Sequence, residues 1–326
     1  MSEFRKDPIT GRQVIVAPHR AQRPRELGVS SNRSQAAPCP FCAGNEALTP
    51  PEIWAMRNNP GWSVRVVPNK YPALTQSNPW SGNNGNFYDS QNGVGAHEVI
   101  VESPDHVTSV AALGVNQLTN VLGAYRERMR ALRSNPDFRY LLLYKNQGDR
   151  AGATLEHIHS QLIALPTVPA EAAAELRGAE AHYQLTGRCI YCEIVERERR
   201  ADARLVLDHE MFIAFCPYAP RFAYETWLIP KIHAAIFEES TERDLPAFGR
   251  ALHETLARMN KALGDPPFNY FIHSLPTALT ASPHYHWHLE ILPQLSRAAG
   301  FELGSGAYIN SVAPEDAARL LRDALL

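Results

Sequence analysis

Two imidazoles and a carboxamide stand at alternate positions in His157-Ile158-His159-Ser160-Gln161. They follow a glycine-punctuated stretch, Gly148-Asp149-Arg150-Ala151-Gly152-Ala153-Thr154. In an extended chain residues two apart share a face, so the three side chains are expected to project together. A neutral imidazole can attack phosphorus and hold a phosphoryl group covalently, splitting one displacement into two. Gln161 can donate its N–H2 to the negative charge that develops, where a carboxylate would repel it. The loop is expected to offer free backbone N–H groups to phosphate oxygens, and Asn146 and Thr154 add neutral donors. His-x-His alone is also what a solvated polar strand carries, so other residues have to decide.

The cysteines point to metal. Four of the five form two Cys-x-x-Cys pairs, Cys39/Cys42 and Cys189/Cys192, and Cys216 stands alone. A thioredoxin-like redox pair follows a strand and opens a helix, whereas Pro38-Cys39-Pro40-Phe41-Cys42-Ala43-Gly44-Asn45 is rich in turn formers and reads as a knuckle. Structural zinc needs two further nitrogen or sulfur ligands. His233 and His286 are the candidates in the second half, 286 − 233 = 53 residues apart. In the first half His157 corresponds to His286, and His97 and His106 compete for the fourth place. The spacing 157 − 106 = 51 matches the other half and 157 − 97 = 60 does not, which favours His106. Two zinc ions per chain are expected, on Cys39, Cys42, His106, His157 and on Cys189, Cys192, His233, His286. With His157 on a metal, His159 is left as the nucleophile.

The elements that must hold these residues recur. Strands are expected near 64–68, 97–101, 139–144 and 162–165, with a helix over 115–133 whose apolar positions (Leu118, Val121, Leu122, Tyr125, Met129, Leu132) keep helical spacing. After a connecting helix within 166–187, the order starts again. Cys189/Cys192 leads to strands 211–215 and 226–229, the turn residue His233, a helix around 244–262, strand 268–272 and His286-Trp287-His288-Leu289-Glu290. This is an internal duplication, with domains expected at 1–175 and 176–326. The second copy has His288 at the nucleophile position but Glu290 where the first has Gln161, and no glycine-rich loop precedes it. It is read as a metal-bearing copy without a nucleophile. Residues 77–95, with four Gly and five Asn, are expected to form a long exposed loop.

A hydrophobic content of 44% with 20% charged residues suffices for a sizeable core. The net charge of −2 gives no electrostatic case for nucleic acid or an anionic membrane surface. No apolar run approaches a membrane span and the N-terminus is not a signal peptide, so a cytoplasmic protein is expected.

The chain resembles galactose-1-phosphate uridylyltransferase and its relatives in the histidine-triad superfamily. The resemblance runs along nearly the whole chain. It is carried by Asp7-Pro8-Ile9-Thr10-Gly11, Pro18-His19-Arg20-Ala21-Gln22-Arg23-Pro24, Cys39-Pro40-Phe41-Cys42, Pro68-Asn69-Lys70-Tyr71-Pro72, Ser103-Pro104-Asp105-His106 and the 146–161 stretch. It implies an α+β fold made of two histidine-triad-like units, each an antiparallel sheet with flanking helices. It also implies a ping-pong transfer in which His159 takes a nucleoside monophosphate from a nucleotide sugar and passes it to a sugar 1-phosphate. By the same resemblance Arg20 and Asn69 bind the nucleotide, and Gly152, Ala153, Thr154 and Gln161 surround the phosphates; Arg23, in the same basic loop as Arg20, and the neutral donor Asn146 are further substrate-binding candidates. Glutamine at 161 favours transfer over the hydrolysis of the nucleotide hydrolases. The tail, Gly300 to Asn310, resembles the branch that includes plant ADP-glucose phosphorylase, in which Phe301 and Glu302 match sugar-contacting positions, with Arg297 near them. That branch also carries Cys2His2 second sites, whereas the enteric form uses a different, iron-binding set. UDP-glucose–hexose-1-phosphate uridylyl transfer is the first reading, an adenylyl-transferring ADP-glucose phosphorylase the second. A homodimer is implied, with active sites that borrow residues from the partner.

Overall fold

The computed structural model describes residues 2–18, 38–76 and 93–324. The first half contributes β1 (Glu3–Lys6), β2 (Gln13–Val16), β3 (Trp54–Arg57), β4 (Trp62–Pro68), β5 (Ala96–Val101), α1 (Val115–Arg133), β6 (Tyr140–Gln147) and β7 (His159–Leu165). Then come α2 (Ala170–Thr186), α3 (Ile190–Ala201), β8 (Leu205–Asp208), β9 (Phe212–Phe215), β10 (Thr226–Pro230), α4 (Asp244–Leu263), β11 (Phe268–His273) and β12 (His288–Pro293). The tail adds α5 (Gly300–Ser305), β13 (Tyr308–Asn310) and α6 (Pro314–Asp323).

Two separate sheets were expected, and one is found. Ten strands pair antiparallel throughout in the order β3-β4-β5-β7-β6-β11-β12-β10-β9-β8. The seam is β6 against β11, with Phe268 opposite Gln147 and Ile272 opposite Leu143. Counted outward from this seam, strands of the two halves follow the same order. The seam was not legible because a strand's apolar pattern shows which face it buries, not which strand lies beside it. β13 joins β1 and β2 in a small second sheet.

Alternation along each strand gives the large sheet two different faces. On one, Val64, Val66, Ile100, Leu143, Leu162, Phe268, Ile272, Leu289 and Ile291 pack in one core with the apolar stripes of α1 and α4. On the other, β5 presents His97, Val99 and Val101, β6 presents Tyr144 and Asn146, and β7 presents His159 and Gln161. α2 and α3 cover this second face only over the second half, where Ala179, Tyr191 and Val195 pack with Ile213, Trp227 and Ile229. Over the first half it is bordered by the cysteine knuckle, whose Phe41 packs with Val67, Val99 and Val101.

The expected helix over 115–133 and those near 166–187 and 244–262 correspond to α1, α2 and α4. α3, which starts directly after Cys189, was not anticipated. No described helix is long and apolar enough to cross a membrane. Most of the loop expected at 77–95 lies outside the described residues.

Candidate functional site

β7 opens with His159, so His157 sits just before the strand rather than in it. Strict alternation therefore governs only His159 and Gln161. His159 is 8% exposed, and its ring lies 5.2 Å from that of Phe41. Its Nδ1 is 2.8 Å from the carbonyl oxygen of His157. A carbonyl can only accept, so Nδ1 carries the proton and Nε2 keeps its lone pair. Burial lowers the imidazole pKa, which holds the ring neutral. The arrangement is a neutral imidazole with its distal nitrogen ready to attack.

Gln161 pairs across β7–β6 with Tyr144. Its Oε1 lies 2.9 Å from His97 Nε2 and 3.2 Å from Asn69 Nδ2. Asn146, on β6, is held from the second half of the chain. Asn269 Nδ2 donates at 2.8 Å both to Asn146 Oδ1 and to the carbonyl of Ala151. With its oxygen facing Asn269, the Asn146 amide presents its N–H2 on the other side, over Gly152, whose added Cβ would stand 3.6 Å from that nitrogen.

The glycine loop differs from expectation. Residues Asp149–Ala151 form a 3-10 turn between Gly148 (φ 84°) and Gly152 (φ 90°). The N–H groups of Ala151 and Ala153 donate to Gly148 O, and that of Gly152 to Asp149 O. Those three donors are used within the loop, because the positive φ values close the turn on itself. Thr154 is exposed at the loop's end.

Beneath this face a buried polar cluster fixes the strand carrying His159. Lys145 Nζ donates to Glu102 Oε2 at 2.5 Å and to the carbonyl of His159 at 3.1 Å. Tyr125 and Ser160 donate to Glu102 Oε1, and Tyr270 from β11 lies 2.7 Å from the Tyr125 hydroxyl. Sequence reasoning passed over His97's real neighbours, Asn269 and this cluster. Strand parity relative to Gln161 could have placed His97; the cross-seam partners carried no signal.

The two cysteine pairs meet the predicted histidines. Cys39, Cys42, His106 and His157 form one group and Cys189, Cys192, His233 and His286 another, each with ligand atoms within 4.8 Å of one another. Tetrahedral zinc with the usual bond lengths puts sulfur and nitrogen about 3.6 Å apart. Five sulfur to Nδ1 distances fall between 3.4 and 3.7 Å: Cys39–His157 3.6, Cys42–His106 3.4, Cys42–His157 3.6, Cys192–His233 3.4 and Cys192–His286 3.7 Å. His157 Nε2 donates to Ser103 O and His233 Nε2 to Ser282 O, each at 2.9 Å. A second nitrogen anchored to a carbonyl is the usual support of a metal-bound histidine. The residues fit the ion. His97 belongs to neither group, as the spacing argument expected.

In the second half His288 opens β12, with Nδ1 3.1 Å from His286 O. Here the ring is fully buried, between Trp227 at 4.9 Å and Tyr191 at 5.2 Å. Glu290, in the place of Gln161, is paired with Arg221. Burial disfavours its charge, but the Arg221 guanidinium and His288 outweigh that and lower its pKa. Glu175 and His273 form a further pair at 2.7 Å. These four acidic and imidazole groups lie within 4.8 Å of one another; His273 is bonded to Glu175 and Arg221 to Glu290, while the buried His288 Nε2 has no hydrogen-bond partner among the described residues.

Arg20 and Arg23 lie outside the described residues. Arg297 is exposed; Phe301 and Glu302 stand on α5, which packs on β13 rather than on the His159 face. Glu302 caps that helix through the N–H of Ala299 at 2.9 Å.

A family model described as galactose-1-phosphate uridyl transferase, N-terminal domain, matches residues 1–169. A protein of Arabidopsis thaliana named ADP-glucose phosphorylase is 37% identical, over 99% of this chain and 93% of its own length. The chain belongs to the galactose-1-phosphate uridylyltransferase family. A second member, named galactose-1-phosphate uridylyltransferase, from Thermotoga maritima, is 29% identical over 99% of this chain and 98% of its own. A crystal structure of an Arabidopsis thaliana ADP-glucose phosphorylase with bound ADP-glucose superposes with a TM-score of 0.87 at 35% identity, covering 100% of both chains. A structure titled uridylyltransferase gives 0.79 at 29% identity, over 99% of this chain and 98% of its own. Residues 94–326 also match a model described only as a domain of unknown function.

Proposed function

We propose that this member of the family is a nucleotidyltransferase that works through a nucleotidyl-His159 intermediate. The observation that carries the reading is the fixed tautomer of a buried neutral imidazole, Nδ1–H on the His157 carbonyl and Nε2 unprotonated. The Nε2 lone pair attacks the α-phosphorus of a nucleotide sugar, a phosphoramidate bond forms, and the bond to the β-phosphate oxygen breaks, releasing sugar 1-phosphate. An oxygen of the acceptor phosphate then attacks the same phosphorus and returns the electron pair to Nε2. Gln161 and Asn146 donate N–H2 groups to the equatorial oxygens as charge builds there. Zinc on each Cys2His2 set supplies a cross-link, the first set holding the knuckle against the residue two before His159.

The donor is a nucleoside diphosphate sugar. ADP-glucose, with phosphate as acceptor, is favoured by the 37% identical Arabidopsis relative. UDP-glucose with a hexose 1-phosphate is supported by the Thermotoga relative and the matched family model. Incubation with each donor, followed by intact mass, separates them. An AMP adduct discharged by phosphate supports the first; a UMP adduct discharged by galactose 1-phosphate supports the second. Free nucleotide without an adduct would indicate hydrolysis and sink the transferase reading. His159→Ala is expected to abolish the adduct and His288→Ala to leave it; the reverse would assign the chemistry to the second half.

The mirrored strand order about the seam supports reading the two halves as a duplicated unit. A homodimer is the assembly that brings the tail residues Arg297, Phe301 and Glu302 to an active site; a single-chain mass in light scattering would remove it.

A further inference from the structure

Two backbone N–H groups in the turn after β4 dictate which way the Gln161 amide points. A main-chain N–H can only donate, so whatever atom it meets is an acceptor. Tyr71 N donates to Asn69 Oδ1 at 2.9 Å. The other end of that amide, Nδ2, is therefore the atom 3.2 Å from Gln161, and the Gln161 atom facing it must be the oxygen. Ala73 N donates to His97 Nδ1 at 3.2 Å. An imidazole that accepts at Nδ1 is neutral with its proton on Nε2, and this nitrogen lies 2.9 Å from the same Gln161 oxygen. Two independent chains of reasoning, starting from different backbone groups, converge on one orientation. Tyr144, whose hydroxyl is 3.3 Å from His97 Nε2, braces the imidazole from the neighbouring strand.

We propose that His97 is a positioning residue for the transfer reaction. As the Nε2–H tautomer it joins Asn69 in filling both lone pairs of Gln161 Oε1, which turns the Gln161 N–H2 away from them and toward the phosphate. An unheld carboxamide can rotate by half a turn and present its oxygen to the anion instead. The clamp removes that repulsive state before substrate arrives, which is how a preorganised donor gains its advantage in the transition state. His97 touches no reacting atom. The proposal rests on the reading of His159 as nucleophile and Gln161 as donor.

Two amides divide the functions of the imidazole. His97→Gln can reach Gln161 with a donor placed like Nε2, while His97→Asn can meet Ala73 N at the Nδ1 position but cannot reach Gln161. Single-turnover formation of the nucleotidyl adduct is measured for the natural chain, both variants and His97→Phe, with ADP-glucose and with UDP-glucose, each variant's melting temperature being recorded alongside. His97→Asn and His97→Phe are expected to lose about tenfold in the rate of adduct formation, the worth of one oriented hydrogen bond, with little change in the donor concentration at half-saturation. His97→Gln is expected to keep most of the rate. Equal rates in all four chains, or equal loss in His97→Gln and His97→Asn, would overturn the role of His97 alone. A natural chain that forms no adduct would remove the nucleophile and the clamp together. Nitrogen-15 correlation spectra provide a test that needs no substrate. The histidine signals missing from His97→Gln must belong to a neutral Nε2–H ring; an Nδ1–H or doubly protonated ring there would also overturn the clamp.

Discussion

His159 and His288 make the same Nδ1 bond to the carbonyl two residues earlier and differ in what surrounds the ring. Around His288 the surroundings are aromatic walls and a compensated charge cluster, in which His273 and Glu175 carry a pH dependence that is open to measurement. Burial alone would lower the His273 pKa, but the Glu175 carboxylate outweighs it and the pKa is raised. Glu175 is correspondingly lowered by His273 against the opposing effect of burial. The facing groups are Glu290, Arg221, His288 and the hydroxyl of Tyr285, which donates to Glu175 at 3.2 Å. A raised imidazole stabilises the fold fully below its unfolded pKa of about 6.5, and that stabilisation is lost as pH rises through the folded value. A lowered carboxylate stabilises above its unfolded pKa of about 4.3 and loses this as pH falls. The pair therefore contributes most between these values. The melting-temperature difference between the natural chain and His273→Asn should be largest near pH 6 and shrink toward alkaline pH; a difference that grows with pH would refute this sign.

At the scale of elements, α2 and α3 decide which half of the sheet is open. They lie over the second face only beyond the seam, with Glu175 and Tyr191 reaching down to His273 and His288. α2 is itself seated by a close approach: a Cβ on Gly178 would stand 1.7 Å from the carbonyl oxygen of Ile9. Helix propensity alone predicts that Gly178→Ala stabilises by about 1 kcal/mol. The clash with main chain reverses this, and a net loss of about 1–3 kcal/mol is expected in chemical denaturation; a gain would show that α2 can move away. How far the sequence revealed these elements followed from their length and repetition. α1, α2 and α4 announced themselves through helical spacing or composition over many turns, and the metal sets through repeated separations between sparse, chemically distinctive residues. β3, β8 and the tail elements were too short to leave a period. The candidate face was half legible: His159 and Gln161 declared their parity, but the cover over the second half depends on tertiary packing that no local pattern encodes. Nor could spacing show that His97, excluded as a ligand, would come to rest on Gln161.

For the whole molecule, each Cys2His2 group gathers residues far apart in the chain, Cys39 and Cys42 with His106 and His157, and Cys189 and Cys192 with His233 and His286. Zinc analysis is expected to give about two ions per chain, and about one in Cys42→Ser and in Cys192→Ser. Adduct formation should slow in Cys42→Ser, because His157 positions the start of β7, and persist in Cys192→Ser. Chelation should lower the melting temperature of the natural chain; no change on full metal removal would make the groups mere hydrogen-bonded clusters. The seam has a consequence of another kind. β6 is hydrogen-bonded on both edges, to β7 and to β11, while α1 packs on α4 across the same boundary. A chain cut within residues 166–169, between β7 and α2, would leave each fragment with an unpaired strand edge and half a helix layer. Each fragment is then the template that completes the other, so the protein is suited to be supplied as two pieces whose reunion restores adduct formation at His159.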